Sequence, residues 1–306
     1  MRTMLHAITP FPKEYPMKQH ALILLVTLIL SGSAAHAEGP PMQLSWQAGP
    51  TDVKLSDQAT LRLPEGYRFL GSQDTQNLLK RMGNFPSGSE LGLITSINTN
   101  EKWFVVVRHI DAGYVKDDDA ANWNADELFA SIKEGTESHN KQREAQGFPP
   151  LIVIGWEEKP RYDAQSHKVV WAISSEEKDT KGVNYNTLVL GRFGYMSMNM
   201  VGELHDLPQL KPHAQMLLAN LNFVEGKRYT DFNSATDKVA AVGLTALIAG
   251  AAFKTGLLAK LWAFLVPLVI AGKKLIIFLV IAIGALLRKW FKKKPLAAPT
   301  PAPPAS

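Results

Sequence analysis

The sequence predicts an α+β protein: an antiparallel sheet with packed helices in an exported domain, followed by a carboxyl-terminal transmembrane helix or helices. Three observations carry this. Segments rich in β-branched and aromatic residues follow one another through short turns, not each followed by a helix, which favours antiparallel pairing over βαβ units. Three further segments carry helical caps or stripes. Both ends of the chain are built for a membrane.

The amino end is a secretory signal. Met17–Ala37 has a basic start, a ten-residue apolar run (Ala21–Leu30) and small residues closing on Ala35-His36-Ala37. As a helix that run reaches about 15 Å, half the hydrocarbon thickness. Cleavage is expected after Ala37, leaving Glu38 first. Met1–Pro16 resembles neither signal nor domain and is read as preceding the true start at Met17. The expected domains are therefore 1–37 signal, 38–237 exported domain, 238–291 membrane anchor and 292–306 tail.

Within the exported domain, Asp74–Met82 is expected as a helix capped by Asp74 and stopped at Gly83. Leu91–Ile97 and Trp103–Ile110 are strand candidates. Asn124 heads a helix over Ala125–Gln146, with Glu127 in capping-box position. Leu151–Trp156 and His167–Ser175 are further strands, with Glu176–Gly182 a charged loop tip. Tyr185–Leu190 and Tyr195–Val201 flank a Gly191–Gly194 hairpin connection. In the latter strand Met196, Met198 and Met200 alternate with Tyr195, Ser197 and Asn199, which predicts one buried and one wet face. Pro212 is expected to open a helix with Ala214, Leu217, Leu218 and Leu221 on one stripe.

Val239–Phe291 contains no acidic residue and runs into Lys292-Lys293-Lys294. One crossing near Leu275–Trp290 is expected, with Val239–Gly272 at the interface or packed on the span, and a helical hairpin is the rival. The densest basic cluster lies beyond the span, which places the tail in the cytoplasm and the main domain in the periplasm, anchored to the bacterial inner membrane. Leu296–Ser306 is Pro/Ala-rich and expected to be disordered.

The formal net charge of +5 belongs to the ends. Glu38–Phe253 holds 21 Lys and Arg against 27 Asp and Glu, so the exported domain is acidic. That argues against nucleic acid as a partner. The chain has no cysteine, which excludes disulfides, thiolate ligands and a thiol nucleophile. Glu38–Phe232 contains every expected strand and helix, is long enough to bury one sizeable core, and is expected to fold alone.

Motifs for chemistry are few. No nucleophile elbow, zinc-ligand pair or dinucleotide loop is found, so no catalytic residue, metal or cofactor is expected. Asp117–Asp119 offers three carboxylates. They fit a solvated loop, or a hard-cation site whose alternating ligand spacing is missing. Aromatic and Asn-rich stretches around Trp156, Tyr162, Trp171, Asn184–Asn186 and Arg192 fit either a recognition face or a sheet core whose Trp and Tyr straddle core and water. Tyr114, Asp117, Asp118, Asp119, Trp156, Tyr162 and Arg192 form the candidate binding surface.

GYVKDDDA at Gly113–Ala120, GW…KPRYD…VVWAI at Gly155–Ile173, NYNT…LGR at Asn184–Arg192 and YTDFN…TDKVAAVGL at Tyr229–Leu244 together resemble the domain of unknown function 2167 family. The resemblance covers roughly Gln43 to Phe291. It implies an uncharacterised membrane-anchored bacterial protein and supplies no activity, site residue or cofactor. The element order is also similar, by fold analogy alone, to small Mog1/PsbP-like sandwiches. The expected function is a binding or envelope-associated module with an envelope protein as a candidate partner. Alternatives are a periplasmic hydrolase using Asp117–Asp119 with a histidine brought near, and an accessory subunit of an inner-membrane complex. Small residues Ala240, Gly243, Ala246 and Gly250 would serve the last by permitting close helix approach.

Overall fold

The computed structural model describes residues 42–250. The signal segment, the apolar run beyond Gly250 and the tail lie outside the described residues, and so do the expectations of cleavage, crossing and disorder. Among the described residues no helix is long and apolar enough to cross a membrane.

The described chain runs β1 (Trp46–Ala48), β2 (Thr51–Leu55), β3 (Ala59–Leu63), β4 (Tyr67–Gly71), α1 (Ser72–Arg81), β5 (Glu90–Ser96), β6 (Phe104–Ile110), α2 (Ala125–Ala145), β7 (Leu151–Asp163), β8 (Lys168–Glu177), β9 (Thr180–Gly191), β10 (Gly194–Glu203), α3 (Leu207–Ala219), β11 (Leu221–Phe223) and α4 (Leu244–Ala249). An eight-stranded antiparallel sheet has the order β1-β4-β5-β6-β10-β9-β8-β7, and a second sheet the order β11-β3-β2. The α+β class and the antiparallel pairing follow the pattern of the sequence.

The small sheet and α3 cover one face of the large sheet. Val53, Leu55, Leu61 and Leu63 from the small sheet meet Val105, Val107, Met196, Met198 and Met200, with Leu210 and Leu217 of α3. The opposite face carries three apolar clusters. One joins α1 to Leu70, Leu93, Phe104, Val106 and Val201. A second joins Ile132 of α2 to Val153 and Ile173. The third gathers Trp171, Leu188, Leu190 and Tyr195 beneath Leu128 and α4. Helices therefore lie on both faces of the large sheet.

That layering corrects the reading of β10. Tyr195, Ser197 and Asn199 are as buried as the three methionines between them. Alternation reports which residues share a face; the second helical layer decides whether the polar face sees water. Other differences are local. β1–β4 are strands that the sequence pattern does not predict, each being only three to five residues long. Asp74 does not cap α1, which starts at Ser72 after Gly71; its carboxylate instead accepts from Ser45 N at 3.1 Å. α3 starts at Leu207, five residues before Pro212, with Pro208 in the first turn where a missing N–H costs nothing. Lys178-Asp179 alone turns the β8–β9 hairpin, so most of the expected loop tip is strand.

Two expectations fit closely. The Asn124 side chain accepts from Asp126 N and Glu127 N at the head of α2. Gly191 pairs with Gly194 across the β9–β10 turn. Gly194 has φ 150°, and a side chain there would collide with the Ile110 carbonyl, so β6 and β10 close only on glycine.

The segment expected at the membrane interface packs on the sheet as far as it is described. Tyr114 and Val239 form a parallel bridge, and Leu244, Leu247, Ile248 and Ala249 are buried. A boundary at 237/238 therefore cuts through a folded strap.

Candidate functional site

The expected candidates mostly converge on this strap, at the β6–α2 loop. Tyr114 stacks on Phe232 at 3.8 Å and on Tyr229 at 4.4 Å, ring centroid to centroid. The Tyr229 hydroxyl donates to the Val115 carbonyl at 2.9 Å. Tyr162, on β7, donates its phenol proton to Asp117. That leaves its oxygen to accept from His167 Nδ1 at 3.2 Å, with Nδ1 3.8 Å from the Asp117 carboxylate. Burial, then the bonded Asp117, pushes the Tyr162 phenol far above its ordinary value. Tyr162 thus keeps its proton, and the trio acts as a tie between β7 and the loop.

The acidic run divides into three jobs. Asp117 holds Tyr162, Asp118 is exposed, and Asp119 reaches the strap. The two Asp119 oxygens accept from Leu244 N and Thr245 N, each at 3.1 Å, satisfying the first turn of α4 from 125 residues away in sequence. Gly243 permits this, since a side chain there would strike the Asp119 carboxylate. The reading of the run as a solvated loop therefore holds for Asp118 alone. No group of three His, Asp or Glu side chains gathers as metal ligands among the described residues. Asp119→Ala should cost about 1–2 kcal/mol, the range for a lost helix cap, while Asp118→Ala stays within about 0.5 kcal/mol. Urea unfolding of the two variants reads the contrast. Equal effects would show that the cap does not hold the strap.

Arg192, at the β9–β10 turn, grips Asp237 through Nε at 2.7 Å and a second nitrogen at 2.9 Å, and donates to the Gly226 carbonyl. The Arg192 bond, helped by Asn233 N–H, holds the Asp237 carboxyl well below the usual carboxylate range. Trp156 packs against the apolar cluster that also holds Leu244 and Leu247 of the strap. Its indole N–H donates to the Ala125 carbonyl at 3.2 Å, fastening β7 to the start of α2. The seven candidates are therefore brought to one end of the sheet, but their polar atoms, Asp118 aside, are engaged inside the domain.

A different group has hydrogen-bonding capacity left over. On the large-sheet face between α1 and α2, Trp171, Asn186 and Asn199 lie in one row across β8, β9 and β10. Asn184 lies one step along β9, Tyr195 two steps along β10. Asn199 Nδ2 donates to Asn186 Oδ1 at 2.9 Å, and Asn186 Nδ2 to the Asn184 carbonyl. Trp171 Nε1, both amide atoms of Asn184, Asn199 Oδ1, the Tyr195 hydroxyl and Ser175 Oγ are buried with no partner. Beyond β10 that row ends on Val106; Arg108, opposite Ser197 one step along, pairs with Glu90 at 3.0 Å. The signal for this band was the alternation of Asn184 with Asn186 and Ser197 with Asn199, which looks the same in sequence as a solvent-facing edge.

Fold and site together define an α+β sheet domain with a buried band of polar side chains and a carboxyl-terminal strap. The chain belongs to the family described as "Protein of unknown function (DUF2167)", whose model matches residues 47–284. No curated protein matches it. Among solved structures, cyanobacterial PsbP (CyanoP) from Synechocystis sp. PCC 6803 is similar at a TM-score of 0.37 and 11% identity, covering 61% of this chain and 96% of that one. The Saccharomyces cerevisiae Ran-binding protein Mog1p is similar at 0.30 and 13%, covering 62% and 100%. At these scores neither likeness carries an argument here.

Proposed function

We propose that this protein is an exported binding module, tethered to the inner membrane, that recognises an envelope component in the periplasm. The observation that carries the reading is the band of buried polar groups with unused hydrogen-bonding capacity around Asn184 and Asn199. Buried donors and acceptors are paired in most folds, so six such atoms on one sheet face ask for a partner. The signal segment, the apolar run after Gly250 and the acidity of the domain support the location. The hydrolase alternative would need Asp117 as a free carboxylate beside His167. The Tyr162 proton already occupies it.

Alkaline phosphatase fused after Gly250 should be active, and fused after Lys294 inactive. Activity at both points would mean a hairpin with an external tail. For binding, a photoreactive residue placed at half-buried Ser131 on α2 of the full-length chain should form an adduct in cells that disappears when Asn184 is changed to Leu. An adduct indifferent to Asn184 would count against this face as the site.

A further inference from the structure

Independently of the polar band, we infer that His213 and Met216 of α3, with the Tyr67 hydroxyl between them, form a binding site for a soft monovalent metal ion of the Cu(I) class. Tyr67 reaches from β4 to α3. Its hydroxyl oxygen stands 2.7 Å from His213 Nδ1 and 3.5 Å from Met216 Sδ. Residues three apart on a helix share a face, so the imidazole and the thioether meet at one point. Donors bound to a single ion at about 2.0–2.3 Å lie roughly 3–4 Å apart. The separations across this trio are therefore close to those within a coordination shell.

Three observations set the trio apart from ordinary packing. Met216 is 46% exposed, whereas Met196, Met198 and Met200 lie in the core. It fills no core gap, the usual task of a methionine, yet its sulfur is turned to the Tyr67 hydroxyl. The other imidazole nitrogen faces a carboxylate, with His213 Nε2 3.8 Å from Glu101 Oε2. Glu101 is itself held by Trp103 Nε1 and Asn98 Nδ2, each at 3.2 Å. Metal-ligating histidines commonly aim their second N–H at a carboxylate, which fixes the tautomer and leaves a lone pair on the first nitrogen. Here that nitrogen is Nδ1, where it accepts the Tyr67 proton. Finally, the imidazole is locked among rings, with the Trp103 centroid at 4.9 Å and the Tyr67 centroid at 5.8 Å. Aromatic faces beside the site favour a cation.

The donors select the metal. Thioether sulfur suits Cu(I), imidazole suits copper and zinc, and neither suits Ca²⁺ or Mg²⁺. Burial, then the Glu101 charge, pushes the Tyr67 phenol above its ordinary value. The phenol stays neutral and offers only a weak oxygen once its proton turns away from Nδ1. All three donors are thus neutral, which suits a single positive charge better than a double one. The Glu101 carboxylate lies at the far nitrogen of the imidazole, so it orients the ring without joining the trio. A zinc site needs three or four nitrogen, sulfur or carboxylate ligands, and no such group of His, Asp and Glu gathers among the described residues. With no cysteine in the chain, thioethers are its sole sulfur donors.

The test uses the full-length chain in nanodiscs, with Ag(I) as a redox-silent stand-in for Cu(I) and Zn(II) and Ca(II) as comparators. NMR of methyl-labelled methionine should show the Met216 resonance shifting with Ag(I) and neither comparator moving it. Outer-shell partners of a metal are worth about 10–100-fold in affinity, so loss of a ligand should cost about a hundredfold or more. Met216→Leu and His213→Gln should each weaken Ag(I) binding by that factor, and Glu101→Gln by about tenfold. Met216→Leu nearly conserves volume at an exposed position, so it decides the matter if His213→Gln fails to fold. Met82 packs on the opposite face of the sheet, and Met82→Leu should leave Ag(I) binding unchanged. Ag(I) binding that survives Met216→Leu would overturn the site. Zn(II) held at His213 as tightly as Ag(I) would overturn the soft-metal class. No Ag(I)-dependent shift of Met216 would overturn the inference and leave the proposed function standing, because the polar band shares no residue with this trio.

Discussion

Ending the chain at Phe232 should abolish cooperative folding, whereas ending it at Gly250 should preserve it. The shorter chain loses Leu244, Leu247 and Ile248, all buried against Val115, Leu128 and Trp171. Burying each such side chain contributes about 1.5–3 kcal/mol, so their loss is on the order of 6 kcal/mol. A compact unfolded state lowers that figure, but domain stability is itself only about 5–15 kcal/mol. The cut also removes Asp237 from Arg192 and leaves Asp119 without its helix. Near-ultraviolet circular dichroism and urea titration of the two truncations decide the matter. A sharp, native-like transition in the chain ending at Phe232 would mean the strap is an accessory. The sequence alone favours that outcome, because every strand precedes Phe232.

The second large effect concerns Glu90 and Arg108. Arg108→Ala should cost about 3–5 kcal/mol, the range for stranding one partner of a buried ion pair. For a domain of this size that lowers the melting temperature by on the order of 10 °C. The pair sits on the sheet with both side chains almost fully buried. Glu90 also accepts from Ser87 N at 3.1 Å and Gly88 N at 2.9 Å, which Arg108→Ala leaves in place. The pH dependence has a definite sign. Burial pushes the Glu90 carboxyl up, but Arg108 and the Ser87 N–H outweigh it and hold it below its ordinary value. In the native protein its contribution is therefore present above the ordinary carboxylate range and fades as the pH falls through the folded value. Without Arg108, burial dominates, so the loss should be largest at neutral pH and shrink toward acid as Glu90 takes a proton. Replacing both residues with Leu and Met should nearly restore stability. Thermal melts at pH 7 and pH 4.5 check each point. An Arg108→Ala loss that grows toward acid would show that the pair is not what holds this part of the sheet.

Local chemistry made some features legible. β-Branched and aromatic runs placed β5, β6 and β8–β10, because a half-buried pleat rewards those shapes whatever lies above it. Asn124 announced α2, since a side-chain cap needs only residues two and three positions away. The charge split between the acidic domain and the basic ends needs only counting. Pro212 misled, because a proline in the sequence marks a missing N–H but not whether that N–H would have been the first or sixth of a helix.

What the sequence by itself determined was the α+β class, the antiparallel pairing, the acidic domain and the family resemblance. Each rests on composition or on neighbours within a few residues. The tertiary structure decided the rest. It sent Asp119 to cap α4 and Arg192 to hold Asp237, uses that depend on contacts across 125 and 45 residues. It also covered the polar faces of β9 and β10. An alternating Asn or Ser looks identical along the chain whether water or a helix lies above it, and only packing distinguishes a solvated edge from a buried polar face.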